Sequence, residues 1–155
     1  STVKKAVGNY HVTPMHCAAI NPAAEFLEHL VTINNGDYNV LDDTGRKPIH
    51  YSAACTGSGP LKYLLGLGAN YREFDNLKQT PLMIAAEYGR VENIKVLCEH
   101  NPDLKSHVNL KDKTSLAAIH VAVRAGKLES VKALCEAIPK TKEFAGRDRM
   151  TALHW

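Results

Sequence analysis

Thr13-Pro14-Met15-His16-Cys17-Ala18-Ala19 decides how this chain is read, because the same phrase returns. Lys47-Pro48-Ile49-His50-Tyr51-Ser52-Ala53 repeats it 34 residues later, and Thr80-Pro81-Leu82-Met83-Ile84-Ala85-Ala86 another 33 on. Ala117-Ala118-Ile119-His120-Val121-Ala122-Val123 is a worn fourth copy, 37 on, and Thr151-Ala152-Leu153-His154 begins a fifth after 34 more. Self-similarity at a period near ~33 residues marks a solenoid, in which each unit buries its apolar face only by stacking on the next.

The phrase resembles the T-P-L-H-x-A-A signature of the ankyrin repeat, and the resemblance runs along essentially the whole chain. It implies an all-α ankyrin-repeat solenoid of stacked helix-turn-helix units joined by β-hairpin-like loops. In that family the first helices line a concave groove and the turns project as a row of hairpins. It further implies that His16, His50, His120 and His154 brace hairpins rather than bind metal. Met83 stands in place of the third such His and is expected to weaken that brace.

The frame gives one domain over residues 1–155, with units near 8–40, 41–74, 75–106 and 107–144 and a partial unit at 145–155. In the first unit Thr13 can cap a helix, and Pro14 suits its first turn, where no N–H is needed. Phe26, Leu27, Leu30 and Val31 then fall at helical spacing and predict one apolar face. In the second unit Asp42-Asp43-Thr44-Gly45 is a turn. Thr56-Gly57-Ser58-Gly59-Pro60 shortens the helix after it, since Gly and Pro are poor helix formers. In the third, Lys78 stands where the turn usually has Gly. The core is assigned to Ile20, Leu27, Leu30, Ile49, Leu64, Leu65, Leu82, Ile94, Leu97, Ile119, Val131 and Leu134. A start without Met and an end in mid-unit suggest a piece of a longer protein.

Charge and cysteines narrow the function classes. Residues 1–100 carry 9 Lys/Arg and 10 Asp/Glu, and residues 101–155 carry 10 and 6. Lys111, Lys113, Arg124, Lys127, Arg147 and Arg149 make the second part basic, but Asp112, Glu129 and Asp148 interrupt them. That is not the charge density of a nucleic-acid binder. No apolar run is long enough to span a membrane. Cys17, Cys55, Cys98 and Cys135 form no CxxC pair and are expected to be core or half-buried thiols in a reducing, intracellular compartment, cytoplasmic or nuclear.

Cys17 beside His16 is no catalytic pair, because adjacent helical residues point about 100° apart. His11, His29, His100 and His107 lie at loops or helix surfaces with no Cys or His two to four residues after them. Phosphate-binding and hydrolase motifs are absent; Thr56-Gly57-Ser58-Gly59 lacks the Lys-Ser/Thr that follows a phosphate loop. The expectation is a monomeric, non-catalytic module without metal or cofactor.

Positions that repeat build a scaffold; outward positions that vary are free to recognise a partner. In frame, these are the hairpin-tip residues Tyr10, Asp43, Arg46, Leu77, Gln79, Lys113 and Leu116, and the first-helix ends Glu87, Tyr88 and Arg124. Ile20, Ala54 and Cys55 belong to the same row of helix ends, Ile20 being ambiguous between surface and core. Tyr and Arg dominate interaction hot spots, and an outward Leu needs a reason. The expected partner is another protein or an extended peptide. Two alternatives stand beside it. One is an intramolecular regulatory or mechanical role in a larger channel, kinase or scaffold. The other is an electrostatic contact of the basic part with an acidic partner, lipid or nucleic acid.

Overall fold

The computed structural model describes residues 12–33, 36–100 and 117–137. These residues contain eight α-helices and no strand: α1 (Pro14–Ala19), α2 (Glu25–Thr32), α3 (Pro48–Ala53), α4 (Gly59–Gly66), α5 (Pro81–Glu87), α6 (Val91–His100), α7 (Ala118–Arg124) and α8 (Leu128–Ala137). They come in pairs, a short first helix and a longer second one. The first helices pack side by side as α1, α3, α5, α7, and α6 lies against both α4 and α8.

Each first helix starts at the signature for local reasons. Thr13 has extended backbone, its hydroxyl accepts from the His16 N–H, and Pro14 occupies the first turn. His16 returns the favour, its Nδ1 accepting from the Thr13 N–H at 3.0 Å. At α3 the hydroxyl is missing, yet His50 Nδ1 still accepts from the Lys47 N–H at 3.0 Å. At α5 Thr80 still caps the Met83 N–H, but Met83 has no acceptor nitrogen to offer in exchange. The turns before α3 and α5 hold Gly45 at φ 75° and Lys78 at φ 59°. Lys78 therefore occupies a left-handed conformation that costs a non-glycine residue about 1–2 kcal/mol.

Small residues let the helices close up. Ala18, Ser52, Ala85 and Ala122 share one signature position and all are buried. Leu27, Ile49, Leu61, Leu64, Leu82, Ile84, Ile94, Leu97 and Leu134 form the continuous core around them, each contributing about 1.5–3 kcal/mol by its burial. Leu30 and Val131 are only half-buried. One core assignment fails: Ile20, ambiguous in the sequence, is 44% exposed, lying just past the end of α1. Phe26, placed on the apolar face of α2, is 60% exposed although its helical spacing is right. Leu61, Met83 and Ile84 are buried instead.

Polar latches join the pairs. His16 Nε2 lies 3.0 Å from the Arg46 carbonyl and His50 Nε2 2.9 Å from the Glu73 carbonyl. Asn93 Nδ2 donates to the carbonyls of Ser52, Ala53 and Cys55 at 3.0–3.1 Å. Arg90 Nε donates to the Ala54 carbonyl at 2.7 Å. Together Arg90 and Asn93 complete the carbonyl end of α3, where the Ser52 carbonyl also accepts from the Cys55 N–H but those of Ala53, Ala54 and Cys55 lie past the last intrahelical donors.

Candidate interaction surface

Two hairpin tips are described, and each is built on a buried aspartate. Asp42 Oδ1 accepts from the Thr44 N–H, the Thr44 hydroxyl and the Arg46 N–H at 2.7–2.9 Å, while the Tyr51 hydroxyl donates to Oδ2. Burial pushes the Asp42 carboxyl up, but the hydrogen bonds from Tyr51, Thr44 and Arg46 outweigh it and hold it below its ordinary value. The same arrangement, in which burial leads and the Asp42 bond and charge add to it, raises the Tyr51 hydroxyl far above the usual tyrosine range. Asp75 occupies the same place in the next turn. Its Oδ1 accepts from the Leu77 and Gln79 N–H groups, and its Oδ2 from Arg46 Nε at 3.2 Å.

The tips are also tied to each other. The Asn76 N–H donates to the Thr44 carbonyl at 2.9 Å, and Asn76 Nδ2 donates to the Asp43 carbonyl at 3.1 Å. This is why Gly45 must be Gly: a Cβ there would stand 2.3 Å from Asn76 Oδ1. What the tips then present is Asp43, exposed, and Leu77, 54% exposed.

Not every expected tip residue faces out. Gln79 is buried at 5% exposure, its Oε1 accepting from Arg46 at 3.4 Å. Arg46 is half-buried and its guanidinium is engaged by Asp75 and Gln79. Both serve the joint between hairpins, because the residue before each signature turns toward its neighbour rather than to solvent. Tyr10, Lys113 and Leu116 lie outside the described residues, as do the partial fifth unit and four members of the basic stripe, Lys111, Lys113, Arg147 and Arg149.

The first-helix ends form a second row. Ile20 and Arg124 are exposed, Ala54 and Glu87 half-buried, and Tyr88, at the end of α5, is 43% exposed. Cys55, placed both in this row and among the core or half-buried thiols, is buried as the second reading has it, and its sulfur accepts from the Gly57 N–H. Cys17, expected to be at least half-buried, is exposed. Cys98 is buried, and burial raises its thiol to about 11, with Glu99 adding to the shift, so it stays protonated and unreactive.

No three His, Cys, Asp or Glu side chains among the described residues converge on a metal-sized site. His16 and His50 are each buried in a separate joint. No helix among the described residues is long and apolar enough to cross a membrane. Sequence reasoning missed Arg90 and Asn93 altogether. Their only signal is register, since Asn93 interrupts the apolar face of α6 at a position that Phe26 and Ser130 occupy in other pairs.

The sequence profile described as "Ankyrin repeats (3 copies)" matches residues 15–107, more than half of the chain. The chain belongs to the ankyrin repeat family. Ankyrin repeats are in general protein–protein interaction modules rather than catalysts, and the helical pairs and pinned hairpins are what such a module is made of.

Three curated relatives share the array. A Caenorhabditis elegans protein named poly(ADP-ribose) polymerase tankyrase is 28% identical over 134 residues, covering 78% of this chain and 6% of that protein. An ankyrin repeat protein of Acanthamoeba polyphaga mimivirus is 32% identical over 83 residues, 50% of this chain and 11% of its own length. The alpha-latrotoxin of Latrodectus geometricus is 32% identical over 119 residues, 75% of this chain and 8% of that protein. The chain thus spans between 6% and 11% of the length of these relatives.

Proposed function

We propose that this array binds a partner protein or extended peptide along the row of first-helix ends and the hairpin tips. Tyr88, Arg124 and Glu87 would supply the helix row, Leu77 and Asp43 the tips. One observation carries the reading: large apolar side chains, Tyr88 and Leu77, are held in solvent on backbone that is otherwise pinned. A stack with no ordering left to do loses little conformational entropy on association, so modest contacts suffice. Arg46 and Gln79 would act indirectly, by fixing the tips.

The double variant Tyr88→Ala/Arg124→Ala tests this surface. Partners captured by the wild-type chain are expected to be lost, with far-UV circular dichroism unchanged. Lys95→Ala, an exposed change on α6, is the control and should keep them. Full retention by the double variant would remove the surface from consideration.

A second reading has the array engage another part of its own longer chain. It is favoured by the relatives, in each of which the matched segment is a small part. In that case the captured ligand is a segment of the parent protein supplied in trans.

A further inference from the structure

We infer that the open face of α1 and α2 is an interior joint of the array, covered in the longer protein by one more helix pair of the same kind, placed ahead of residue 1. The repeat frame carries this. The fifth signature position is Cys17, Tyr51, Ile84 and Val121 in successive pairs. It is exposed in the first pair, half-buried in the second, and 1% and 0% exposed in the third and fourth. The second helices give the same series: Phe26 is 60% exposed, whereas Pro60, Asn93 and Ser130 at its position are buried.

At Tyr51 and Asn93 the residue is met by the preceding pair. The Tyr51 ring sits 4.8 Å from that of His16, and Asn93 reaches the carbonyl end of α3. Over α1 and α2 the matching space is a groove of about 680 Å³ flanked by Pro14, Cys17, Phe26, His29 and Leu30. Its exposed lining is mostly apolar, although Asn21, Glu25 and His29 belong to it, and Phe26 stands at the place where later pairs bury a residue in the joint. A terminal unit that faces water needs a polar outer side; this one has the side of an internal unit. The occupant that continues the observed joints is a helix pair whose first helix ends in small residues, as α3 does in Ser52-Ala53-Ala54 beneath Asn93.

The test compares residues 1–155 with the natural chain carrying about 35 further upstream residues, one repeat length. The readout is alkylation of Cys17 by iodoacetamide, followed by peptide mass spectrometry, with half-buried Cys135 as the reference. Cys17 is expected to react roughly tenfold more slowly in the longer chain, with Cys135 unchanged. Phe26→Asp should leave the melting temperature of residues 1–155 unaltered and lower that of the longer chain by several degrees, because only there would the carboxylate be buried. Equal Cys17 rates in the two chains overturn the inference. So does slow labelling of residues 1–155 alone, whether independent of concentration, which would put residues 1–11 on the face, or rising with dimer formation, which would put a second copy there.

Discussion

His50 links the smallest scale to the joint it closes. Its Nδ1 accepts from the Lys47 N–H, so its proton sits on Nε2, facing the Glu73 carbonyl. Burial holds the imidazole below its ordinary value of 6.5; Arg46 adds to the shift, while the Glu73 bond and the charges of Asp75 and Glu73 oppose it. The unfolded chain therefore takes up a proton near pH 6.5 that the folded chain refuses. Stability from this group is fully present above that pH and drains away as pH falls below it. We expect the melting temperature to decline as pH falls below 6.5, and the decline to shrink in His50→Gln, as read by circular dichroism melts across pH. That His50 would brace something followed from its place in the signature; what it touches did not. Gln79 shows the reason, because its neighbour Arg46 lies 33 residues away and no local pattern encodes that meeting.

Among the helices, α6 depends on one residue that its own amphipathic pattern does not mark. Asn93 spends both amide hydrogens on three carbonyls at the end of α3. Asn93→Leu would take the side-chain donor from the Ala53 and Cys55 carbonyls, while Ser52 keeps the Cys55 N–H, at a cost of about 2–3 kcal/mol. The urea midpoint should fall accordingly, while Lys95→Ala changes the stability by no more than about 0.5 kcal/mol. An unchanged midpoint for Asn93→Leu would show that solvent replaces the latch. Helix starts were legible from Thr13, Thr80 and the prolines, because capping is settled within four residues. Facing was not. Phe26 has a correct helical stripe and no cover, since whether a stripe is buried depends on the neighbouring pair and not on the helix that carries it.

For the whole stack, burial is uneven along the axis. Every residue of α5 from Pro81 to Ala86 is buried, whereas α2 buries only Leu27. A solenoid opens unit by unit from its weak end. Hydrogen exchange followed by mass spectrometry should find α5 amides at least roughly tenfold slower than those of α2, with α1 between them. Uniform protection would mean that the array opens all at once. The bond from Asn76 to the Thr44 carbonyl has a consequence on this same scale. Because neighbouring tips are yoked, Asp43 and Leu77 behave as teeth of one comb cut at a set pitch. A ligand whose own contact points match that pitch seats on both teeth at once. A ligand with a different pitch must bend to fit, or let one tooth go.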